Sequence, residues 1–359
     1  PVGDPDAALA LWLEQKDDLL AGREPRPKGP GTGPTIRTLA NAFLGHKRKL
    51  IDAGELSVRS FEDYHRVCAG LFDYFGRDRQ IDALTQSDFA ELRAHLSKTL
   101  GPVSLGNTIQ RVRSVFKYAF DSEMIAAPIR FGPGFKRPSK KTIRLHKAAK
   151  GKKMFAREEI LSVLDVAGPQ LKAMILLGVN GGLGNADLAN MPLSAVDLES
   201  GWVNFPRVKT GIDRRFPLWP ETIEALRAAL AKRPTPKDEA DAGIFFITKY
   251  GARWCRTIFE QRPAAEGEEP TFRNYMENAI GKEFVKLLKE AGVEKKEGRS
   301  FYTLRHVFET IAGGSKDQIA VDYVMGHADD SMAANYREEI DDARLSAVVE
   351  HVRKWLFAK

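Results

Sequence analysis

The sequence predicts two domains, an all-helical one followed by one that mixes helices with a small antiparallel sheet. Three observations carry that division. Apolar residues recur at helical spacing through residues 35–130, with no strand-like alternation. An acid-free basic stretch, Lys136–Lys153, then breaks the pattern. Beyond it, short β-type runs lie among helices, which is the composition of an α+β domain. A chain of 359 residues is long enough for two separate cores.

Residues 1–34 read as a short helical pattern, Ala7–Leu20, followed by a Pro/Gly-rich strip, Pro25–Pro34. The chain opens on Pro1 rather than Met, consistent with a processed or trimmed start. Residues 35–130 form the helical unit. Thr35–Ala53 places Leu39, Phe43 and Leu50 on one face, and Ser60–Phe75 does the same with Tyr64, Val67, Leu71 and Phe75. Thr85-Gln86-Ser87-Asp88 supplies cap-type residues for a third helix that runs to Leu96. The fourth, Ser104–Met124, has Ile109, Val112, Val115, Phe116 and Ala119 on its apolar side. Arg111, Arg113 and Lys117 are interleaved with them, as a solvated face or as groove-facing cations.

Residues 131–153 read as a linker. It begins with the Gly/Pro-rich Phe131-Gly132-Pro133-Gly134-Phe135 and continues into the basic stretch. The second domain, 154–359, is expected to carry helices at Arg157–Val166 and Leu171–Val179, the second almost wholly apolar and therefore buried. Short strands at Gly201–Pro206 and Arg215–Leu218 flank the turn at Lys209-Thr210-Gly211. A helix over Glu221–Ala231 and a buried strand over Gly243–Thr248 follow. The remaining helices are expected at Asn274–Ala291, Thr303–Ile311, Asp317–Met325 and Asp341–Phe357.

Charge is concentrated rather than spread. The formal net charge is +7, and nine basic residues with no acid lie between Lys136 and Lys153, so the rest of the chain sums to −2. A run of one sign extends itself by repulsion as a solvated linker. The same run can follow a phosphate backbone, each contact releasing counterions. Its candidate DNA contacts are Lys136, Arg137, Lys140, Lys141, Arg144 and Lys147, to which Arg111 and Arg113 of the fourth helix are added. Cys68 and Cys255 are too far apart for a CxxC pair; two cysteines exclude a disulfide framework and suit a reducing compartment. No apolar run reaches the ~18 residues of a membrane span. The expectation is a soluble, cytoplasmic, nucleoid-associated protein with no membrane partner and no cofactor.

The chemistry-bearing residues cluster late. Tyr302-Thr303-Leu304-Arg305-His306 opens one helix, Gly326-His327 closes the next, and Tyr336 follows nine residues after His327. Singly, each is weak: an Arg-His pair is usually a surface pair, and Gly-His after a helix is first a C-cap signal. Jointly, with Lys209 in its hairpin turn, they can break a phosphodiester without a metal. A phenol serves as nucleophile, cationic donors hold the phosphoryl oxygens, and an acid protonates the leaving 5′-oxygen. Arg305 has the planar fork that matches two phosphate oxygens. Tyr336, with an ordinary pKa of about 10, needs help to lose its proton.

This joint pattern resembles the tyrosine recombinase, or phage integrase, family, whose motif runs Arg, Lys, His-x-x-Arg, His or Trp, Tyr. The resemblance covers roughly residues 35–359. It implies a four-helix (SAM-like) DNA-clamping domain and a mixed α+β tyrosine-recombinase catalytic domain. It also implies a site-specific enzyme of mobile elements that cuts and rejoins DNA through a 3′-phosphotyrosine, as a dimer on one site and a tetramer in synapsis. Lys209 matches the family lysine, Arg305 the second arginine, His327 the His/Trp position and Tyr336 the nucleophile. In such enzymes the last helix often docks on a neighbouring protomer. The stripe Ile340, Ala343, Leu345, Val348, Val349, Val352, Trp355 and Leu356 suits that role.

Two positions depart from the pattern. The first family arginine sits in a Gly-Leu-Arg turn, which here reads Gly182-Leu183-Gly184-Asn185-Ala186-Asp187-Leu188, with Gly184 in place of the arginine. The histidine of His-x-x-Arg is Tyr302, which keeps a hydrogen-bonding tip and gives up the imidazole. Losing one positioned donor to a transition-state oxyanion costs about 10²–10³ in rate. Three outcomes stand open: a DNA binder that no longer cuts, a slow enzyme, or another cation in the vacant position, from among Arg207, Arg214, Arg215, Arg253 and Arg256. A type IB-like topoisomerase would use the same nucleophile without partner exchange.

Overall fold

The structure is a computed structural model that describes Leu9, Trp12, Lys16, Leu19, residues 33–262, 271–294, 296–328, Met332 and 339–358. Of 259–262 and 271–274 only the backbone is described. Tyr336 therefore lies outside the described residues. The chain divides into two compact units, Pro1–Ala149 and Lys150–Lys359, each with its own apolar core.

In the first unit four helices follow one another: α1 (Ile36–Asp52), α2 (Val58–Phe75), α3 (Gln86–Ser97) and α4 (Pro102–Asp121). Their starts are chemically marked. Thr35 accepts from the Thr38 amide at 3.2 Å while Thr38 accepts from the Thr35 amide at 2.7 Å, and Thr85 and Asp88 exchange the same two bonds at 3.4 and 2.7 Å, so each reciprocal cap ties down two free donors. The expected apolar faces meet as one core of Leu39, Phe43, Leu71, Phe89, Ile109, Val112 and Phe116. Each such side chain taken out of water is worth roughly 1.5–3 kcal/mol.

The segment read as a linker is partly folded. Phe135 is fully buried in this first core, and Phe131 lies against Phe89 with ring centroids 4.7 Å apart. Gly134 permits the approach, since a Cβ there would stand 2.9 Å from that of Ala90. Residues Lys140–Ala149 then form a helix, α5, rather than an extended strand of like charges. Ser139 caps it by accepting from the Thr142 amide at 3.0 Å. The half-buried side of α5 is Ile143 and His146; Lys140, Lys141, Arg144 and Lys147 are exposed. Repulsion along one helix face is weak in water, so a cap and two partly buried side chains suffice to hold it.

The second unit starts with α6 (Arg157–Val166) and α7 (Pro169–Asn180). Every residue of α7 from Ala173 to Asn180 is buried, as its apolar run requires. A short helix, α8 (Asn185–Asn190), leads into the antiparallel sheet β1 (Val196–Asp197), β2 (Trp202–Asn204) and β3 (Arg215–Pro217), with Val203 opposite Phe216. The β2–β3 connection is the loop that carries Lys209. After α9 (Pro220–Ala231), residues 243–248 are largely buried but make only isolated bridges, Pro192 with Ile244 and Ile247 with Arg253, rather than the expected strand.

A second correction concerns Asn274–Ala291, expected as one helix. A two-stranded hairpin, β4 (Cys255–Arg262) with β5 (Thr271–Asn278), precedes the shorter helix α10 (Ala279–Glu290). Helices α11 (Thr303–Ala312), α12 (Gln318–Met325) and α13 (Asp342–Leu356) complete the unit. Most of the apolar stripe of α13 packs within its own unit. Leu345, Val348, Val349, Val352 and Leu356 are buried in this unit's own core, and the Trp219 indole donates to the Val349 carbonyl at 3.1 Å. Of the same stripe, Ala343 is exposed and Trp355 is half-buried. No helix among the described residues is long and apolar enough to cross a membrane.

Candidate active site

Arg305 sits in the first turn of α11 and is almost completely buried. Its fork is held by two backbone carbonyls: Nη1 donates to Gly182 O at 2.6 Å and Nη2 to Met325 O at 2.7 Å. Among the described residues it forms no ion pair with a carboxylate. Burial, and next the positive charge of Arg207, push its pKa down to about 10, which leaves it cationic at neutral pH.

Two more guanidinium groups come from the β2–β3 loop. Arg214 has a fully buried side chain that donates to Phe205 O at 2.8 Å through Nε, and its Nη atoms stand 3.1 and 3.3 Å from the Asp187 carboxylate. Asp187 also accepts from the Gly184 amide at 3.0 Å, which caps α8. Arg207 is only half-buried and donates through Nη1 to Gly326 O at 3.3 Å. The loop lies close against Gly326: a Cβ there would be 2.9 Å from Arg207 Cβ, and Gly326 has φ +61°. The other candidate cations are engaged elsewhere. Arg215 pairs with Asp342, Arg253 with Asp241 at 2.5 Å and Arg256 with Glu277 at 3.0 Å.

The two departures from the family pattern meet in space. A Cβ built on Gly184 would stand 3.2 Å from Tyr302 Cε2 and 3.3 Å from its Cδ2. The Tyr302 ring, 43% exposed, therefore lies over the position from which the first family arginine would extend.

His327 directly follows the left-handed C-cap Gly326 of α12. Its Nδ1 is 3.2 Å from Asp322 Oδ1 and 3.7 Å from Glu309 Oε2. A carboxylate at that position selects the Nδ1–H form and leaves Nε2 as the ring's working atom. Sequence reasoning missed both acids. The available signal was a carboxylate one helical turn after Arg305 and another five residues before His327. Lys209 is exposed in the turn that Gly211, with φ +67°, closes by donating to Arg207 O at 2.8 Å.

Residues 153–342, more than half of the chain, match the phage integrase family. The chain belongs to that family, the tyrosine recombinases. No curated protein matches its sequence. Among solved structures it is similar to a lambda integrase dimer bound to a COC′ core site, at 15% identity over 94% of this chain and 88% of that one, with a TM-score of 0.57. The same four figures hold for a lambda integrase tetramer bound to a Holliday junction. A Tn1549 transposon integrase in complex with transposon right end DNA is 16% identical over 87% of this chain and 98% of that one, with a TM-score of 0.60. At such identities the likeness is one of fold.

In this tyrosine recombinase the structure also locates the cations expected to meet DNA. Lys136, Arg137, Lys140, Lys141, Arg144 and Lys147 are exposed. Arg111 and Arg113 are instead engaged within the first unit. Arg111 pairs with Asp63; Arg113 donates to Phe135 O at 2.8 Å with its guanidinium 4.7 Å from the Phe131 ring centroid.

Proposed function

We propose that the chain is a site-specific DNA strand transferase. The observation that supports it most is the Arg305 fork, desolvated, aimed by two carbonyls and paired with no carboxylate among the described residues. Burying such a charge is costly, and an anion that accepts its remaining donors offsets the cost. A scissile phosphate is that anion. Tyr336 attacks phosphorus; the bond to its phenolic oxygen forms as the P–O5′ bond breaks, giving a 3′-phosphotyrosine. Lys209 protonates the leaving 5′-oxygen, and His327, oriented by Asp322, takes the phenolic proton or donates to a phosphoryl oxygen. A 5′-hydroxyl from a partner strand reverses the step and rejoins the DNA, so no cofactor is consumed.

The partner is double-stranded DNA. The exposed cations Lys136, Arg137, Lys140, Lys141, Arg144 and Lys147 grip its backbone in a way that carries no sequence information. Assembly as a dimer on one site and a tetramer in synapsis follows the lambda integrase complexes.

The test is covalent trapping. Sites are selected from a random duplex library, rebuilt with a nick beside the cleavage point and incubated with the protein. The expected result is a protein–DNA adduct on a denaturing gel that is absent in Tyr336→Phe. Specific binding without an adduct at any selected site would instead mean a recombinase-like DNA binder that has lost the chemistry.

A further inference from the structure

Gly184 removes a cation from a site that needs two, and three guanidinium groups converge there, so the question is which of them is free. Arg214 is sealed in the interior and its charge is already neutralised: its Nε serves Phe205 O and its Nη atoms lie 3.1 and 3.3 Å from the Asp187 carboxylate, with Nη2 completing no hydrogen bond there. Arg305 supplies one cation. Arg207 differs from Arg214 in each respect that matters. It is half-buried rather than sealed, it forms no ion pair among the described residues, and its guanidinium holds Gly326 O through one long bond. Arg207 and Arg305 thus hold consecutive carbonyls, those of Gly326 and Met325, on the loop that leads into His327. Two unneutralised guanidinium groups fixed on neighbouring carbonyls repel each other, and an anion between them relieves that repulsion.

We infer that Arg207 makes the phosphate contact that Gly184 cannot, entering from the β2–β3 loop because the Tyr302 ring closes the Gly184 side. The two departures from the family pattern are then one change. With glycine at 184 the tyrosine ring fits where it lies, and an arginine at 184 would have to push that ring aside by a few tenths of an ångström. Arg207 lies two residues before Lys209, so the loop that brings the general acid also brings the second phosphate cation. The inference rests on the strand-transfer reading above.

The experiment measures adduct formation on the nicked duplex by wild type, Arg207→Ala and Arg207→Lys. Each is also offered a duplex whose scissile phosphate carries a methyl group in place of one non-bridging oxygen. Arg207→Ala is expected to lose about 10²–10³ in rate on the phosphate while binding DNA within a few-fold of wild type. On the uncharged methylphosphonate it is expected to recover most of that loss, because the missing charge is no longer needed. Arg207→Lys, which keeps the charge and loses the fork, should fall between. In the Arg207→Ala background, Gly184→Arg with Tyr302→His should restore cleavage, and Gly184→Arg alone should not.

An Arg207→Ala rate within about threefold of wild type overturns the assignment. A loss that neither the methylphosphonate nor the paired 184/302 substitution recovers also overturns it, because the role is then structural. If wild type itself forms no adduct on either duplex, the strand-transfer reading fails, and this inference with it.

Discussion

The exposed cations of α5 and the buried cations around Arg305 carry the same formal charge and have different physics. Lys140, Lys141, Arg144 and Lys147 stand in water, where salt screens them and each is worth little alone. Arg305 and Arg214 have been taken out of water, so each must be matched by carbonyls or a carboxylate, and any mismatch is felt at once. On the proposed function, the first group would position the DNA and Arg305, in the second, would act at one phosphate. Counting charge treats them alike; burial separates them.

The contrast is tested most severely at Asp187. Asp187→Ala leaves the Arg214 guanidinium buried without its carboxylate and should destabilise the second unit by about 3–5 kcal/mol, read from denaturant unfolding. Asp187→Leu with Arg214→Met should recover most of that stability, since an apolar pair of similar volume needs no partner. Next comes Arg305→Ala, expected to lower adduct formation by at least about 10²–10³ and to flatten the salt slope of DNA binding by no more than the ~0.9 of a single phosphate. If the salt slope falls by several such steps and cleavage persists, the division between gripping and reacting cations is wrong.

For the exposed group, Lys140→Ala, Arg144→Ala and Lys147→Ala together should weaken binding to all sequences. Each phosphate left unneutralised should flatten the slope of log Kobs against log salt by about 0.9. Preserved site preference is the expected accompaniment; its collapse would show that α5 reads bases.

The mildest consequence belongs to another buried cation. Arg299 lies over the Phe155 ring and donates to Glu159, and this hydrogen bonding holds the Glu159 carboxyl below its ordinary 4.5. A depressed carboxylate contributes stability that is present above the unfolded value and lost as pH falls through the folded one. Thermal midpoints should therefore drop below about pH 4.5 more steeply in wild type than in Glu159→Gln.

The helices are legible in the sequence where one face is buried. Leu39 and Phe43, or Val67 and Leu71, recur at helical spacing because that face packs on a core, and Thr85 with Asp88 marks a start by local hydrogen bonds alone. The β4–β5 hairpin is not legible. None of its described side chains is buried, so no alternation of period two is imposed on the sequence, and its end reads as part of the following helix. The helix over residues 140–149 escapes a sequence reading for a related reason: only Ile143 and His146 are partly buried, too few to set a period. The stripe on α13 shows the reverse limit, since its pattern is right and the sequence does not show that most of it packs on the chain itself.

The set of parts can be read from the amino-acid order alone: Lys209, Arg305, His327 and Tyr336 in sequence, glycine at 184, tyrosine at 302, and a positive charge concentrated in one stretch. That order nominates five arginines for the vacant position without ranking them. The ranking comes from the folded chain, in which Arg214 is neutralised by Asp187, three others are paired elsewhere, and Arg207 shares the Met325–Gly326 carbonyls with Arg305. The reason is physical. A guanidinium's availability depends on which carboxylates and carbonyls reach it and on how much water surrounds it. Those neighbours are 27 residues away for Arg214 and 119 for Arg207.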